Sequence, residues 1–268
     1  MTGLPLSIFT VLGATGYIGS RLVAHLQAQG HTVWAPARGD AEVFTRPLGH
    51  VIYCVGLTAD FRTRPFDTVD AHVGLLTEVL RRAQFESLLY LSSTRVYMGA
   101  ASTHEDAPLA VVPGDPSYLY NLTKLTGESL CHASGRAGVR VARLSNVVGP
   151  GLDAASGNLV ADLLHQARQG HMVLRSDPQS AKDYVHVADV LDWLPRIALQ
   201  GCHPVYNVAS GVQTTHAQWL QWLSEHYGCT VQVQDGAQSQ CFAPIDVSRL
   251  RAHWSAPARP LWDASAPW

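Results

Sequence analysis

Two kinds of apolar run alternate along this chain. Short segments rich in β-branched and aromatic residues are followed by longer ones in which apolar side chains return every three or four positions, the spacing of one helix face. Ser7 to Leu12 is the first short run. A glycine-rich turn follows, and Tyr17 to Gln29 then places Ile18, Leu22, Val23 and Leu26 on one face before Gly30 ends the helix. Thr32 to Ala35 starts a second short run, so the chain opens as strand, glycine turn, helix, strand. Further strands are predicted at His50–Val55, Leu88–Ser92, Val139–Leu144 and Pro204–Val208, with helices near residues 68–84, 118–134, 157–169, 187–199 and 215–227. Such alternation predicts an α/β protein with a doubly wound parallel sheet covered on both faces. Residues 1–150 and a returning strand near 204–208 are expected to build the sheet domain. Glycine and proline clusters at 149–157 and 174–180 mark where the chain leaves it, so residues 151–182 and 210–268 are expected to form a small second region. One interval breaks the rhythm: about a dozen residues separate Arg38 from His50, too few for a crossover helix and another strand, so one sheet edge is expected to be trimmed.

Composition narrows the classes. Of the 268 residues, 47% are apolar, enough for a sizeable core, and 15% are charged, against roughly 25% in an average soluble chain. The net charge of −2 offers no electrostatic footprint for nucleic acid or an anionic membrane. No apolar stretch reaches the roughly 18 residues of a membrane span, and the opening apolar run has no basic residue before it, so it reads as a strand rather than a signal peptide. A cytoplasmic protein is expected. The five cysteines (Cys54, Cys131, Cys202, Cys229, Cys241) are scattered and never form a C-x-x-C pair, which fits buried thiols in a reducing compartment. The thirteen histidines show no metal-ligand spacing, so no metal is expected; His186, at a strand-to-helix junction, is read as structural. Trp219 and Trp222, three apart on a helix, read as core or interface, and the tail from Arg259 as a loosely packed terminus.

The turn Gly13-Ala14-Thr15-Gly16-Tyr17-Ile18-Gly19 lies between a strand and a helix. Glycines there allow positive φ and a close backbone approach, while the helix N-terminus presents N–H groups to a pyrophosphate. In this context Gly13, Thr15, Gly16, Tyr17, Ile18 and Gly19 are candidates for binding a dinucleotide. After the second strand, an NAD-binding chain would carry an acid near position 37. This one reads Pro36-Ala37-Arg38, and an arginine can pair with a 2′-phosphate. The cofactor expected is NAD or NADP, with Arg38 tilting toward NADP and Asp40 close by on the other side of the balance.

Tyr120 and Lys124 are spaced to share one helix face. A phenol is a poor base near neutrality, but a neighbouring ammonium favours its ionised form. A tyrosine so placed can exchange a proton with a substrate oxygen while a hydride moves at the nicotinamide. Ser93, or Thr94 beside it at the end of a predicted strand, supplies a hydroxyl to hold that oxygen. The chain has only two lysines, Lys124 and Lys182, against many arginines, so a lysine four residues after Tyr120 points to a chemical requirement.

In register, these elements resemble the extended short-chain dehydrogenase/reductase superfamily, in its NAD-dependent epimerase/dehydratase branch. L-S-S-T-R-V-Y-M-G (91–99), E-D-A-P-L (105–109), R-L-S-N-V-V-G-P-G (143–151), K-D-Y-V-H-V-A-D-V (182–190) and Y-N-V-A-S-G (206–211) follow in the family's order, beyond G-A-T-G-Y-I-G and Y-N-L-T-K. The resemblance implies a Rossmann-type sheet with a small C-terminal substrate-binding region, and a homodimer joined through the helices near 68–84 and 118–134. It also implies roles: Tyr120 as acid/base, Lys124 on the nicotinamide ribose, Ser93 orienting the substrate, Asn146 and Lys182 touching substrate, and Gly13, Gly16 and Gly19 holding the pyrophosphate. The departures count too. Dehydratases of this family carry Thr-Asp-Glu where this chain has Ser93-Thr94-Arg95, which argues against water elimination. Lys182 stands where an arginine is usual, and no arginine precedes Ile245-Asp246-Val247-Ser248-Arg249, so the diphosphate site is weakened. The expected function is an NAD(P)-dependent epimerase or ketoreductase acting on a sugar or nucleotide sugar. The alternative is a non-catalytic cofactor-sensing or scaffold protein that keeps the fold.

Overall fold

A computed structural model describes residues 4–58, 60–152, 157–234, 236, 239, 242–255 and 258–262. Six strands form one all-parallel sheet: β1 (Ile8–Leu12), β2 (Thr32–Trp34), β3 (His50–Tyr53), β4 (Ser87–Ser93), β5 (Val139–Leu144) and β9 (Val205–Val208), in the spatial order β2-β1-β3-β4-β5-β9. The order reverses between β1 and β3, the crevice where open α/β sheets receive ligands beyond the carboxyl ends of their strands. Helix α1 (Tyr17–Ala28) connects β1 to β2, and α4 (Leu119–Ala133) precedes β5. Strands β1, β3 and β4 are buried nearly throughout because both faces are covered. The trimmed edge is present. Between β2 and β3 the described chain makes only a short 3-10 turn, Ala41–Phe44, and the three-residue β2 is the sheet's edge.

The strand and helix positions expected from periodicity match these elements closely. The small sheets were not foreseen. Strands β6 (Asn146–Val148), β8 (Ala181–His186) and β10 (Gln213–Thr215) form one, with β8 parallel to β6 and antiparallel to β10; β7 (His171–Leu174) and β11 (Thr230–Val233) form another. Their strands are short and paired across long sequence separations, so no local alternation marks them. With α5 (Leu159–Arg168) and α7 (His216–Tyr227) they enclose a second core around Leu163, Tyr184, Trp219 and Leu223. Trp219 is fully buried there, as expected of a core residue. His186 caps α6 (Val187–Gln200), accepting a hydrogen bond from Ala188 N at 3.2 Å, a structural role as expected. The tail departs from expectation: Arg259 pairs with Asp189 and Asp192, and Trp262 packs on Trp219 with centroids 4.9 Å apart, while residues 263–268 lie outside the described residues. Cys202 is exposed rather than buried, and Cys241 lies outside the described residues. Among the described residues, no helix is long and apolar enough to cross a membrane.

A buried polar network ties the sheet to its flanking segments. Glu128 of α4 receives Ser92 Oγ at 2.5 Å and Arg143 Nη2 at 2.6 Å. Arg143, on β5, also donates to Tyr97 Oη at 2.8 Å, and Tyr97 donates to Asn207 Oδ1 on β9 at 2.8 Å. Asn207 N donates to Glu105 Oε1 at 2.9 Å, and Asn207 Nδ2 to the carbonyls of Thr103 and Asp246, each at 2.8 Å. A buried ion pair stabilises only where its hydrogen-bonding capacity is filled, and removing one partner strands the other charge. Arg143→Met is therefore expected to cost about 3–5 kcal/mol in urea unfolding. A loss under about 1 kcal/mol would show that water replaces the guanidinium.

Candidate active site

One cavity of about 700 Å³ opens at the carboxyl ends of the strands and runs from the glycine turn to the face of α4. Of the sequence candidates, Gly16, Tyr17, Ile18, Gly19, Ser93, Thr94, Tyr120, Lys124, Asn146 and Lys182 line it. Gly13, Thr15 and Arg38 do not. Gly13 shapes the turn from outside the cavity: its φ is +83°, and a Cβ there would lie 2.8 Å from the Cys54 carbonyl carbon. At Gly16 a Cβ would meet nothing closer than 3.6 Å, so the missing side chain leaves open space. Gly16 gives α1 no side-chain cap, and the first turn carries no acid. The first amides of α1 are thus free of a protein acceptor from the cap and face no negative charge, the arrangement a pyrophosphate fits.

Arg38 and Asp40 follow β2, which ends at Trp34. Asp40 is occupied as the cap of the following 3-10 turn, accepting from Glu42 N at 2.9 Å. Arg38 is exposed in the turn before it, where Asp40 N donates to the Ala37 carbonyl at 3.2 Å.

Tyr120, Lys124 and Glu128 follow one another on the buried face of α4. Gly127 lets that face approach β4, since a Cβ there would lie 2.5 Å from Tyr90 Oη. Ser93 ends β4, accepts Arg95 N at 3.2 Å through its hydroxyl, and lies near enough to Tyr120 to favour its ionised phenol. Lys124 Nζ donates to the Leu91 carbonyl at 2.8 Å. Burial pushes Lys124 down to about 7, opposed by the charge of Glu128 and by the Cys54 thiol. The electrostatics differ from the sequence expectation that Lys124 draws the phenol down. Burial raises Tyr120 above its ordinary value, and the influences against it are the Ser93 hydroxyl and the Arg95 charge. The reason is that Lys124 is itself desolvated and committed to a backbone carbonyl, with Nζ 5.9 Å from the phenol ring centroid.

Several residues here carried no signal in the sequence. His72 lies in a π-helical turn, Asp70–Gly74, between α2 (Pro65–Val69) and α3 (Leu75–Arg82). Tyr53 Oη donates to the Ala71 carbonyl at 2.7 Å and Tyr90 Oη to the His72 carbonyl at 3.3 Å, which serves the irregular backbone. The His72 ring accepts Leu57 N at 3.2 Å, bonds Thr123 Oγ1 at 2.8 Å, and meets Tyr120 edge-on with centroids 5.3 Å apart. Burial and the Lys124 charge hold it neutral, with its pKa down to about 2. Phe61, Arg62 and Phe242 also line the cavity from segments distant in sequence. Away from it, Cys202, His203 and His253 come together, with Cys202 Sγ 3.2 Å from His253 Nε2 and all three ligand atoms within 4.8 Å of one another. Sequence spacing could not show this grouping, because Cys202 and His253 stand 51 positions apart and meet only in the fold. The group lies before β9, at the end of the sheet opposite the cavity.

A parallel sheet with a ligand crevice at its reversal point, an uncapped glycine-turn helix and a serine–tyrosine–lysine group in one cavity defines a dinucleotide-binding Rossmann protein. Residues 9–209 match the model of the NAD dependent epimerase/dehydratase family, and the chain belongs to that family. It is 29% identical over 257 residues to a dTDP-6-deoxy-L-talose 4-dehydrogenase (NAD(P)(+)) of Kitasatospora kifunensis, covering 84% of this chain and 80% of that one. Among solved structures, MoeE5 in complex with UDP-glucose and NAD superposes with a TM-score of 0.77 at 24% identity, over 94% of each chain. RMD from Pseudomonas aeruginosa complexed with NADPH superposes at 0.76 with 23% identity, again over 94% of each. At these identities the two structures establish the fold alone.

The buried neutral histidine makes a pH prediction. Between about 2 and the ordinary 6.5, the unfolded chain binds a proton at His72 that the folded chain does not, so stability is lost as pH falls below 6.5. His216, held down to about 4 by burial and Lys182, acts in the same direction. In His72→Gln the slope of unfolding free energy against pH, measured from pH 6 to 5, is expected to be shallower by about 1.4 kcal/mol per unit. An unchanged slope would mean that His72 is protonated in the folded protein.

Proposed function

We propose that the protein is an NAD(P)-dependent ketoreductase of a nucleotide-linked sugar, turning a ring ketone into a hydroxyl. The observation that carries this reading is that the uncapped amides of α1 and the Ser93–Tyr120–Lys124 group line one continuous cavity. Gly16, Tyr17, Ile18 and Gly19 would hold the cofactor pyrophosphate, Lys124 its nicotinamide ribose, and Arg38 a 2′-phosphate. When bound, the nicotinamide supplies the hydride. Ser93 Oγ orients the substrate carbonyl, and Tyr120 Oη gives its proton to the carbonyl oxygen and recovers one from water. A phenol held protonated by burial suits that donor role. The curated relative named a dTDP-6-deoxy-L-talose 4-dehydrogenase supports sugar carbinol–ketone chemistry, and Arg38 with Asp40 occupied elsewhere supports a dissociable NADPH. Asn146 and Lys182 lie on the cavity wall where substrate phosphate would reach them; Asn146 Nδ2 is already donated to the Asp183 carbonyl at 2.8 Å, leaving its oxygen for substrate.

Tyr120→Phe is expected to lower turnover by about two to four orders of magnitude while cofactor affinity holds, measured by steady-state kinetics and cofactor titration. Unchanged turnover would overturn the assignment, and a scaffold would be indifferent. Chromatography of cofactor released on denaturation tests the direction of the chemistry. An empty protein that binds NADPH more tightly than NADH fits the ketoreductase, whereas near-stoichiometric retained NAD(H) points to an epimerase. Arg38→Ala is expected to weaken NADPH about tenfold and leave NADH unchanged.

A further inference from the structure

Besides Lys124, three basic side chains from separate segments line the cavity: Arg62 in the 3-10 turn Asp60–Arg62, Arg95 in the turn Thr94–Tyr97, and Lys182 on β8. Among the described residues none of the three forms an ion pair. The acid on the same wall, Asp183, is already satisfied, accepting Ser210 N at 3.0 Å, Ser210 Oγ at 3.1 Å and Gly211 N at 2.7 Å. Arg62 and Arg95 are gathered on one ring, their guanidinium carbons 4.5 and 5.6 Å from the Phe61 centroid. Like charges gathered on one cavity wall without an acidic partner favour an anionic ligand there.

Arg95 is fixed for such a ligand. Its Nε donates to Asn121 Oδ1 at 3.1 Å and its Nη2 to the Ser117 carbonyl at 3.3 Å, while fully buried Asn121 donates back to the Arg95 carbonyl at 3.1 Å. These bonds engage two of a guanidinium's five donors and leave Nη1 uncommitted. Arg95 stands two residues beyond Ser93, is braced by the residue after Tyr120 and acts on the Tyr120 phenol through its charge, so an anion on its fork would lie on the Tyr120 side of the cavity. A planar fork matches a planar carboxylate.

We propose that the reacting sugar unit carries a carboxylate, received by Arg95 with Arg62 at the cavity mouth. The protein then acts on an acidic sugar, and the proposal rests on the oxidoreductase reading above. The test is calorimetric titration of the full chain, saturated with whichever dinucleotide it binds, using a uridine diphosphate-linked hexuronate and the matching neutral hexose. Both probes carry the diphosphate, so their difference isolates the carboxylate. The hexuronate is expected to bind about tenfold more tightly or better, with the preference lost in Arg95→Gln and partly kept in Arg95→Lys. Unimpaired dinucleotide affinity in both variants reports an intact fold. Equal binding of the two probes, a preference that survives Arg95→Gln, an equal weakening of both, or no binding of either by the loaded protein overturns the carboxylate site and leaves the cofactor reading standing. Failure to bind any dinucleotide removes the oxidoreductase reading, and this proposal with it.

Discussion

The buried pair between Glu128 and Arg143 is the constraint around which the rest of the molecule is arranged. Two charges with side chains about 5% exposed or less are costly to desolvate, and they persist because every nearby segment contributes a hydrogen bond to them. Ser92 from β4, Tyr97 from the following turn and the carbonyl of Glu105 complete the shell, and Asn207 passes it on to β9 and Asp246. One network therefore fixes α4 against the sheet and holds the segments around Glu105 and Asp246 over its carboxyl edge. Motifs that look unrelated along the chain, E-D-A-P-L, R-L-S-N and Y-N-V-A-S-G, prove to be parts of that one structure.

The same helix face carries the candidate catalytic residues. Glu128 anchors one end of α4, and Lys124 and Tyr120 follow one turn apart toward the cavity, so the rigidity of the pair is transmitted to the phenol. Phe61, the edge of His72 and the hydroxyl of Ser93 flank that phenol on its protein side. Burial keeps Tyr120 protonated, His72 neutral and Lys124 near the point of losing its charge. Positive charge in the cavity is thus carried chiefly by the arginines, which do not lose their protons when desolvated. A site so built suits the proposed proton donor and an anionic ligand.

The trimmed sheet edge bears on cofactor use. Among the described residues no strand lies beyond β2, so the adenosine end of a dinucleotide would have less protein to rest on, and under the proposed function the exposed Arg38 would contact it there. Such an edge is consistent with the dissociable cofactor of the proposed ketoreductase.

Much of this was legible in the residues alone. Periodicity located the six strands of the main sheet and its covering helices, because strands buried on both faces and amphipathic helices leave strong local patterns. The glycine turn, the tyrosine and lysine on one helix face and the shortened step after Arg38 were visible for the same reason: each is fixed by neighbours a few residues apart. What only the tertiary structure decided involves groups far apart in sequence. His72 reaches Tyr120 through a π-helical turn that no propensity marks, and the small sheets pair strands across long intervals. Cys202 and His253 meet at one surface, and Arg62, Arg95 and Lys182 converge on one cavity. The balance of charge around Tyr120 also belonged to the fold, since the sequence places Lys124 beside the phenol but cannot tell that burial weakens that ammonium and leaves Arg95 as the cation acting on it. Local spacing determines which side chains share a face; desolvation and distance, which set their charges, exist only once the chain has closed on itself.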